Sequence, residues 1–215
     1  MLVSFGTRTL AQVYDYGTNM PAIAMRDRLW PRQHRRLQHS ERARLFQNEE
    51  AKAAVLHCLP EVHAEDVTVH LVACTRLHEI HDDGTGRANA VWGHVGTHPL
   101  MMQGFVEQRE MKDIYDQLRE ILPQVLAGGN HVIAFWCNAG EHRSVAVREF
   151  VHYCLFNVGW LARSLPFRLA SSDLCKALWD RRGCGQCCAC STSSLSQVRT
   201  DAQRAFMNAL RKALS

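Results

Sequence analysis

The sequence predicts an α/β fold, with a mainly parallel sheet flanked by helices and a small cysteine-rich appendage near the C-terminus. Two observations predict it. Short apolar runs typical of buried strands alternate with segments of helical periodicity, and a Cys-Gly-x-Cys-Cys-x-Cys stretch follows them at 184–190. In such sheets ligands bind beyond the carboxyl ends of the strands, so residues that follow a predicted strand are the first functional candidates.

Length and composition predict one domain with attached segments. The chain has 215 residues, of which 47% are apolar, enough for a sizeable core. We divide it into a poorly defined N-terminal segment with a basic run (1–60), an α/β domain (61–190), and a polar linker with a C-terminal helix (191–215).

Charge, hydropathy and cysteine content limit the partners and the cellular compartment that the sequence predicts. No apolar run reaches the roughly 18 residues that a membrane span requires, so no membrane partner is expected. Nine cysteines is an odd number and favours an intracellular, cytoplasmic protein with reduced thiols over a disulfide scaffold. The formal net charge of +4 permits an acidic or phosphorylated partner without requiring one.

The first half of the chain carries one clear strand. Residues 1–16 alternate enough to hold a strand, and 41–56 have helical composition. The basic run 32–44 is either a solvated helix face or a contact for the phosphates of RNA. Residues 67–74 are rich in β-branched side chains and predict a strand. The polar stretch 80–99 predicts a long loop.

The second half is easier to interpret. An apolar face at helical spacing predicts a helix over 104–126, ended by Gly128 and Gly129. Residues 132–136 predict a buried strand and 145–156 a helix. A short helix at 174–181 and a final helix at 198–214 complete the chain.

The junction between strand 132–136 and helix 145–156 carries the strongest functional signal. A thiol, a glycine and an arginine occur together there, where backbone N–H groups and the helix dipole favour an anion. The simplest interpretation is a phosphate-binding loop with the cysteine at its floor and the arginine clamping the anion. The candidate anion-binding residues are Cys137, Asn138, Ala139, Gly140, Glu141, His142, Arg143 and Ser144.

Two further groups of side chains are candidates for binding. In the loop 80–99, His94, His98, Asp82 and Asp83 are candidate ligand contacts, the alternative being solvated surface side chains. Near the C-terminus, Cys184, Cys187 and Cys190 have the spacing of a zinc knuckle, with Cys188 as the alternative to Cys190 and with Cys175 or a distant histidine as the candidate fourth ligand. Free thiols are the alternative there.

The loop resembles those of two protein families. Its Cys-x5-Arg-Ser spacing is similar to the signature of cysteine-dependent phosphatases. The longer pattern Cys-x2-Gly-x-His-Arg-Ser-Val resembles the C-terminal domain family of the RNase adapter protein RapZ. The stretch 93–99 and the cysteine-rich tail are also similar to that family, so the resemblance covers about residues 67 to 190.

The RapZ resemblance implies a non-catalytic, regulatory domain. Such a domain binds a phosphorylated small molecule, including a sugar phosphate such as a hexosamine phosphate, and in bacteria also RNA and a protein. The family's Asp-x-Arg motif has only Asp82, Asp83 and the more distant Arg87 as counterparts. The chain lacks a Gly-x4-Gly-Lys-Ser/Thr motif, so no nucleotide hydrolysis by that route is expected.

The phosphatase resemblance implies a different role for the same residues. Cys137 would act as the nucleophile and Arg143 would stabilise the transition state. Such an enzyme also needs a general acid. Asp82 and Asp83 are candidates on a loop, whereas the acids of helix 104–126 lie on its polar face.

Overall fold

The computed structural model describes residues 1–6, 49–59, 62, 67–78, 80, 94–137, 140, 142–157, 171–173 and 193–215. The strands are β1 (Leu2–Gly6), β2 (Val67–Ala73), β3 (Asn130–Cys137) and β4 (Ser171–Asp173). The helices are α1 (Glu49–His57), α2 (Pro99–Val106), α3 (Met111–Leu126), α4 (Arg143–Asn157) and α5 (Ser193–Leu214).

The four described strands form one sheet in the order β2-β3-β1-β4, and all neighbouring strands are parallel. The predicted α/β class with a parallel sheet is therefore confirmed. β1 comes from the segment predicted to be poorly defined, yet it lies beside β3 in the middle of the sheet. The predicted cysteine-rich appendage and the helix predicted at 174–181 lie outside the described residues.

Strand β3 is buried on both faces of the sheet, which explains its nearly continuous apolar sequence. Val132, Ala134 and Trp136 pack in one core with side chains of α1. Ile133, Phe135 and Cys137 alternate with them and pack in a second core with residues of α2 to α5. Cys137, the last residue of β3, thus lies on the face of the sheet that four helices cover.

The single helix predicted over 104–126 is wrong, because the chain forms two helices separated by a turn at 107–110. In that turn the Gln108 side chain accepts a hydrogen bond from the His78 N–H (2.7 Å) and donates one to the His78 carbonyl (2.9 Å). The apolar positions that predicted the helix, Met111 to Val125, all lie after the break and therefore did not fix its start. The predicted end is confirmed: α3 stops at Leu126, and Gly128 has a φ of 103°.

The C-terminal helix completes the second core. α5 spans 22 residues and packs against α2, α3 and α4. Its Phe206 is fully buried, with its ring centroid 4.8 Å from that of Phe150 and 5.1 Å from that of Tyr115. None of the described helices combines the length and the apolar character that crossing a membrane requires.

We expect Phe206→Ala to lower the free energy of unfolding by about 3–5 kcal/mol, because it leaves a cavity among three helices. The matched control is Phe156→Ala, since Phe156 is 73% exposed. That change is expected to stay within about 0.5 kcal/mol of the wild type. Chemical denaturation measures both. Equal effects of the two substitutions would contradict the packing of α5 described above.

Candidate functional site

The predicted loop lies at the carboxyl end of the sheet. β3 ends at Cys137 and α4 begins at Arg143, as the sequence predicted to within two residues. β3 has β2 on one side and β1 on the other, so the loop emerges at the middle of the sheet edge. Between strand and helix, Gly140 has a φ of 76°, a left-handed conformation that glycine adopts without strain.

The thiol of Cys137 makes two hydrogen bonds with this loop. The Gly140 N–H points at Sγ at 3.2 Å, and Ser144 Oγ lies 3.3 Å from Sγ, where either atom can donate. Cys137 and Ser144 are both buried. These two contacts fix the position of the sulfur relative to the loop. The predicted binding of an anion above it remains a prediction.

The Arg143 side chain makes structural contacts that the sequence did not predict. Its side chain is only 7% exposed, and Nη1 donates to the carbonyls of Thr75 (3.3 Å) and Leu77 (3.0 Å). These two carbonyls lie just after β2, so the guanidinium ties the first residue of α4 to the end of the neighbouring strand. The predicted clamp on a bound anion remains a prediction, whereas the bracing of the β2 end is a feature of the structure.

The structure brings the histidine-containing segment 94–98 against the start of α4. A Cβ on Gly96 would lie 2.0 Å from the His142 carbonyl oxygen and 2.7 Å from the Ala146 nitrogen, so only glycine fits there. The rings of His94 and His98 are 4.5 Å apart. The two sequence motifs, distant in the chain, therefore form one site.

His98 is the most unusual side chain in this segment. It is only 1% exposed, and its Nδ1 has no hydrogen-bond partner among the described residues. Burial, followed by the positive charges of His94 and Arg199, lowers the pKa of His98 from 6.5 to about 4. His98 is therefore neutral at physiological pH and able to accept or donate a single hydrogen bond at each ring nitrogen.

Two contributors to the site carry no signal in the sequence. Arg199 of α5 donates from Nη2 to the Thr97 carbonyl at 3.0 Å, across 102 positions of the chain. Cys74, which follows β2, is fully buried beside the loop. Both arise from tertiary packing, and neither stands in a motif that local pattern could identify.

Several predicted site residues lie outside the described residues: Asp82, Asp83, Asn138, Ala139, Glu141, Cys184, Cys187 and Cys190. The zinc and general-acid predictions that rest on them remain predictions. Within the described part of the chain, no three His, Cys, Asp or Glu side chains are grouped to hold a metal. On α3, Asp113 pairs with Arg76 at 2.7 Å and Asp116 with Arg119 at 3.6 Å.

We compared the chain with protein-family models, curated proteins and solved structures, and none of them matches it. The similarity to the RapZ C-terminal domain therefore rests on the residues quoted from the sequence.

The lowered pKa of His98 predicts a loss of stability in acid. The unfolded chain takes up a proton near pH 6.5 and the folded chain only near pH 4. Unfolding therefore binds a proton within this window, and stability falls as the pH drops through it, by at most about 1.4 kcal/mol per pH unit.

Denaturant unfolding of wild type and His98→Gln between pH 7 and pH 4 measures this contribution. The variant is expected to lose stability less steeply than the wild type in the window. Two parallel curves would contradict the assignment of a buried, neutral His98.

Proposed function

We propose that this chain is a non-catalytic regulatory domain that binds a phosphorylated ligand at the loop 137–144. The single observation that carries the proposal is the arrangement around the Cys137 sulfur. A left-handed turn at Gly140 directs a backbone N–H to it, and the first turn of α4 brings the Ser144 hydroxyl within hydrogen-bond distance. Loops that wrap donors around one point at a helix N-terminus suit the oxygens of a phosphate group.

The electrostatics of this edge support an anion. α4 is 15 residues long, and its dipole places partial positive charge at Arg143 and Ser144. The Arg143 guanidinium is buried at the same place, and Arg199 lies across the segment 94–98. A charge held in a poorly solvated position acts more strongly on a ligand than one in water.

The resemblance to the RapZ family suggests the class of ligand. A hexosamine phosphate or a similar sugar phosphate ends in a phosphomonoester, whose three free oxygens a short loop can surround. A nucleic-acid phosphate is a diester with two substituents, so it exposes fewer oxygens to such a loop. We therefore favour a phosphorylated small molecule, and RNA is the second ligand to test.

The cellular setting that we propose is intracellular. Cys58, Cys74, Cys137 and Cys154 all carry free thiols. Buried free thiols are typical of proteins from reducing compartments.

Phosphate binding is expected to stabilise the reduced protein. At 100-fold excess over its dissociation constant, a ligand that binds only the folded state adds about 2.7 kcal/mol. We expect saturable stabilisation by inorganic phosphate and a greater effect of a hexosamine phosphate at equal concentration. Thermal and denaturant unfolding with added reductant and chelator measure it.

Arg143→Lys tests which residue is responsible. Lysine keeps the charge but lacks the planar guanidinium fork. We therefore expect phosphate to stabilise Arg143→Lys several-fold less than it stabilises the wild type, each protein being compared with its own ligand-free form. Arg148→Lys is the control, because Arg148 is equally buried further along α4. No stabilisation of the wild type, or equal stabilisation of both variants, would contradict the proposal.

A cysteine-dependent phosphatase is the second candidate. The contact between Cys137 Sγ and Ser144 Oγ favours it, because it places a hydroxyl within hydrogen-bond distance of the sulfur that would act as the nucleophile. Hydrolysis of an aryl phosphate by wild type and Cys137→Ser distinguishes the two candidates. We expect no turnover by either protein. Turnover that disappears in the variant would establish the phosphatase and overturn the non-catalytic proposal.

A further inference from the structure

Cys74 and Cys137 occupy equivalent positions at the ends of neighbouring parallel strands. Ala73 pairs with Trp136 in the register of β2 and β3. The Cys74 N–H donates to the Trp136 carbonyl at 2.8 Å and so continues the ladder beyond the last paired residues. The next pair in this register is Cys74 with Cys137.

The two thiols also lie on the same face of the sheet. Side chains alternate along a strand, and both cysteines pack in the core beneath α2 to α5. Paired strands are about 4.8 Å apart, which is within the range of about 4.4–6.8 Å found between the Cα atoms of disulfide-bonded cysteines. The backbone spacing thus suits a disulfide, and its formation requires the Cys74 thiol to leave the Val72 carbonyl, to which it donates at 3.8 Å.

We propose that Cys74 and Cys137 form a reversible disulfide when the protein meets hydrogen peroxide, and that this bond inactivates the phosphate loop. The second half of the proposal rests on the proposed function, whereas the first half does not.

The contacts of the two thiols assign them different roles. The Cys137 sulfur accepts the N–H of Gly140 at the base of the loop, so we assign it the attack on one peroxide oxygen, in which the thiol proton passes to the departing oxygen. The O–O bond breaks, and the products are a sulfenic acid on Cys137 and, after protonation, one water. Burial, and then the charge of Cys137, raises the pKa of Cys74 well above its usual range. Cys74 therefore remains a thiol until the sulfenic acid forms beside it.

The second step closes the bond. The Cys74 thiol passes its proton to the sulfenic acid oxygen as its sulfur attacks the Cys137 sulfur, the S–O bond breaks, and the oxygen leaves as water. In total, two thiols are oxidised and one peroxide is reduced to two waters.

The disulfide changes the floor of the loop. To bond Cys74, the Cys137 sulfur turns toward β2 and leaves the Gly140 N–H and the Ser144 hydroxyl. Both donors then lack the acceptor that orders the loop. Reduction of the bond by a thiol restores the original contacts.

The experiment treats the reduced full chain with hydrogen peroxide, blocks remaining thiols, and maps tryptic peptides by mass. Cleavage gives one peptide with Cys58 and Cys74 (53–76) and one with Cys137 (120–143). We expect these two peptides to be joined, with the loss of two hydrogen atoms, and to separate on reduction. The joined species should disappear in Cys74→Ala and persist in Cys58→Ala, the control within the same peptide.

Three results would overturn the disulfide: no oxidation of Cys137, its conversion to sulfinic acid with Cys74 still free, or a cross-link that survives in Cys74→Ala and not in Cys58→Ala. Phosphate-induced stabilisation, measured on the same samples, is expected in the reduced protein and lost in the oxidised one. A cross-link with no phosphate effect in the reduced protein would refute the proposed function alone. Equal phosphate effects before and after cross-linking would refute the inactivation.

Discussion

The hydrogen bonds from the Arg143 guanidinium to the Thr75 and Leu77 carbonyls are the constraint on which the site depends. A charged donor contributes about 1.5–3 kcal/mol per hydrogen bond to a protein, and a buried one costs more when its acceptors are lost. Because Arg143 is the first residue of α4, these bonds fix the helix start relative to the end of β2. The β2–β3 register places Cys137 beside Cys74, and this attachment holds the start of α4 at the same edge of the sheet.

Close backbone packing is a second constraint on the start of α4. Gly96 approaches the His142 carbonyl so closely that any side chain would collide with backbone. The segment that contains it is held in turn by Arg199, which bonds the Thr97 carbonyl. The candidate site is thus assembled from segments near residues 75, 96, 140 and 199. Its geometry depends on the packing of α5 as much as on the loop itself.

The parts of this architecture that could be predicted are those encoded locally. The apolar run 132–136, the glycine at 140 and the helical composition after 145 place the loop to within two residues. The break at 107–110 was missed because its cause, the Gln108 side chain bound to His78, involves residues 30 positions apart. β4 spans only three residues and pairs with β1, a contact that no pattern in either segment specifies.

The residues of the candidate site also divide into those that local sequence identifies and those that only the tertiary structure brings together. Cys137 and Ser144 were identified because they belong to one motif, and they are in contact. Cys74 and Arg199 were not identified, since their proximity arises from strand register and helix packing. The local sequence motif therefore identified the loop. Tertiary structure brings to it Arg199, which positions the site, and Cys74, the thiol that we propose reacts with Cys137.

Backbone amide spectra of the reduced, isotope-labelled protein during titration with inorganic phosphate test the central claim most directly. The account predicts saturable shifts of the Gly140 and Ser144 amides with one common dissociation constant. Gly128 and Gly129, which precede β3 at the opposite end of the strand, should remain unchanged. Unchanged Gly140 and Ser144 amides, or equal shifts at all four positions, would contradict a phosphate site at this loop.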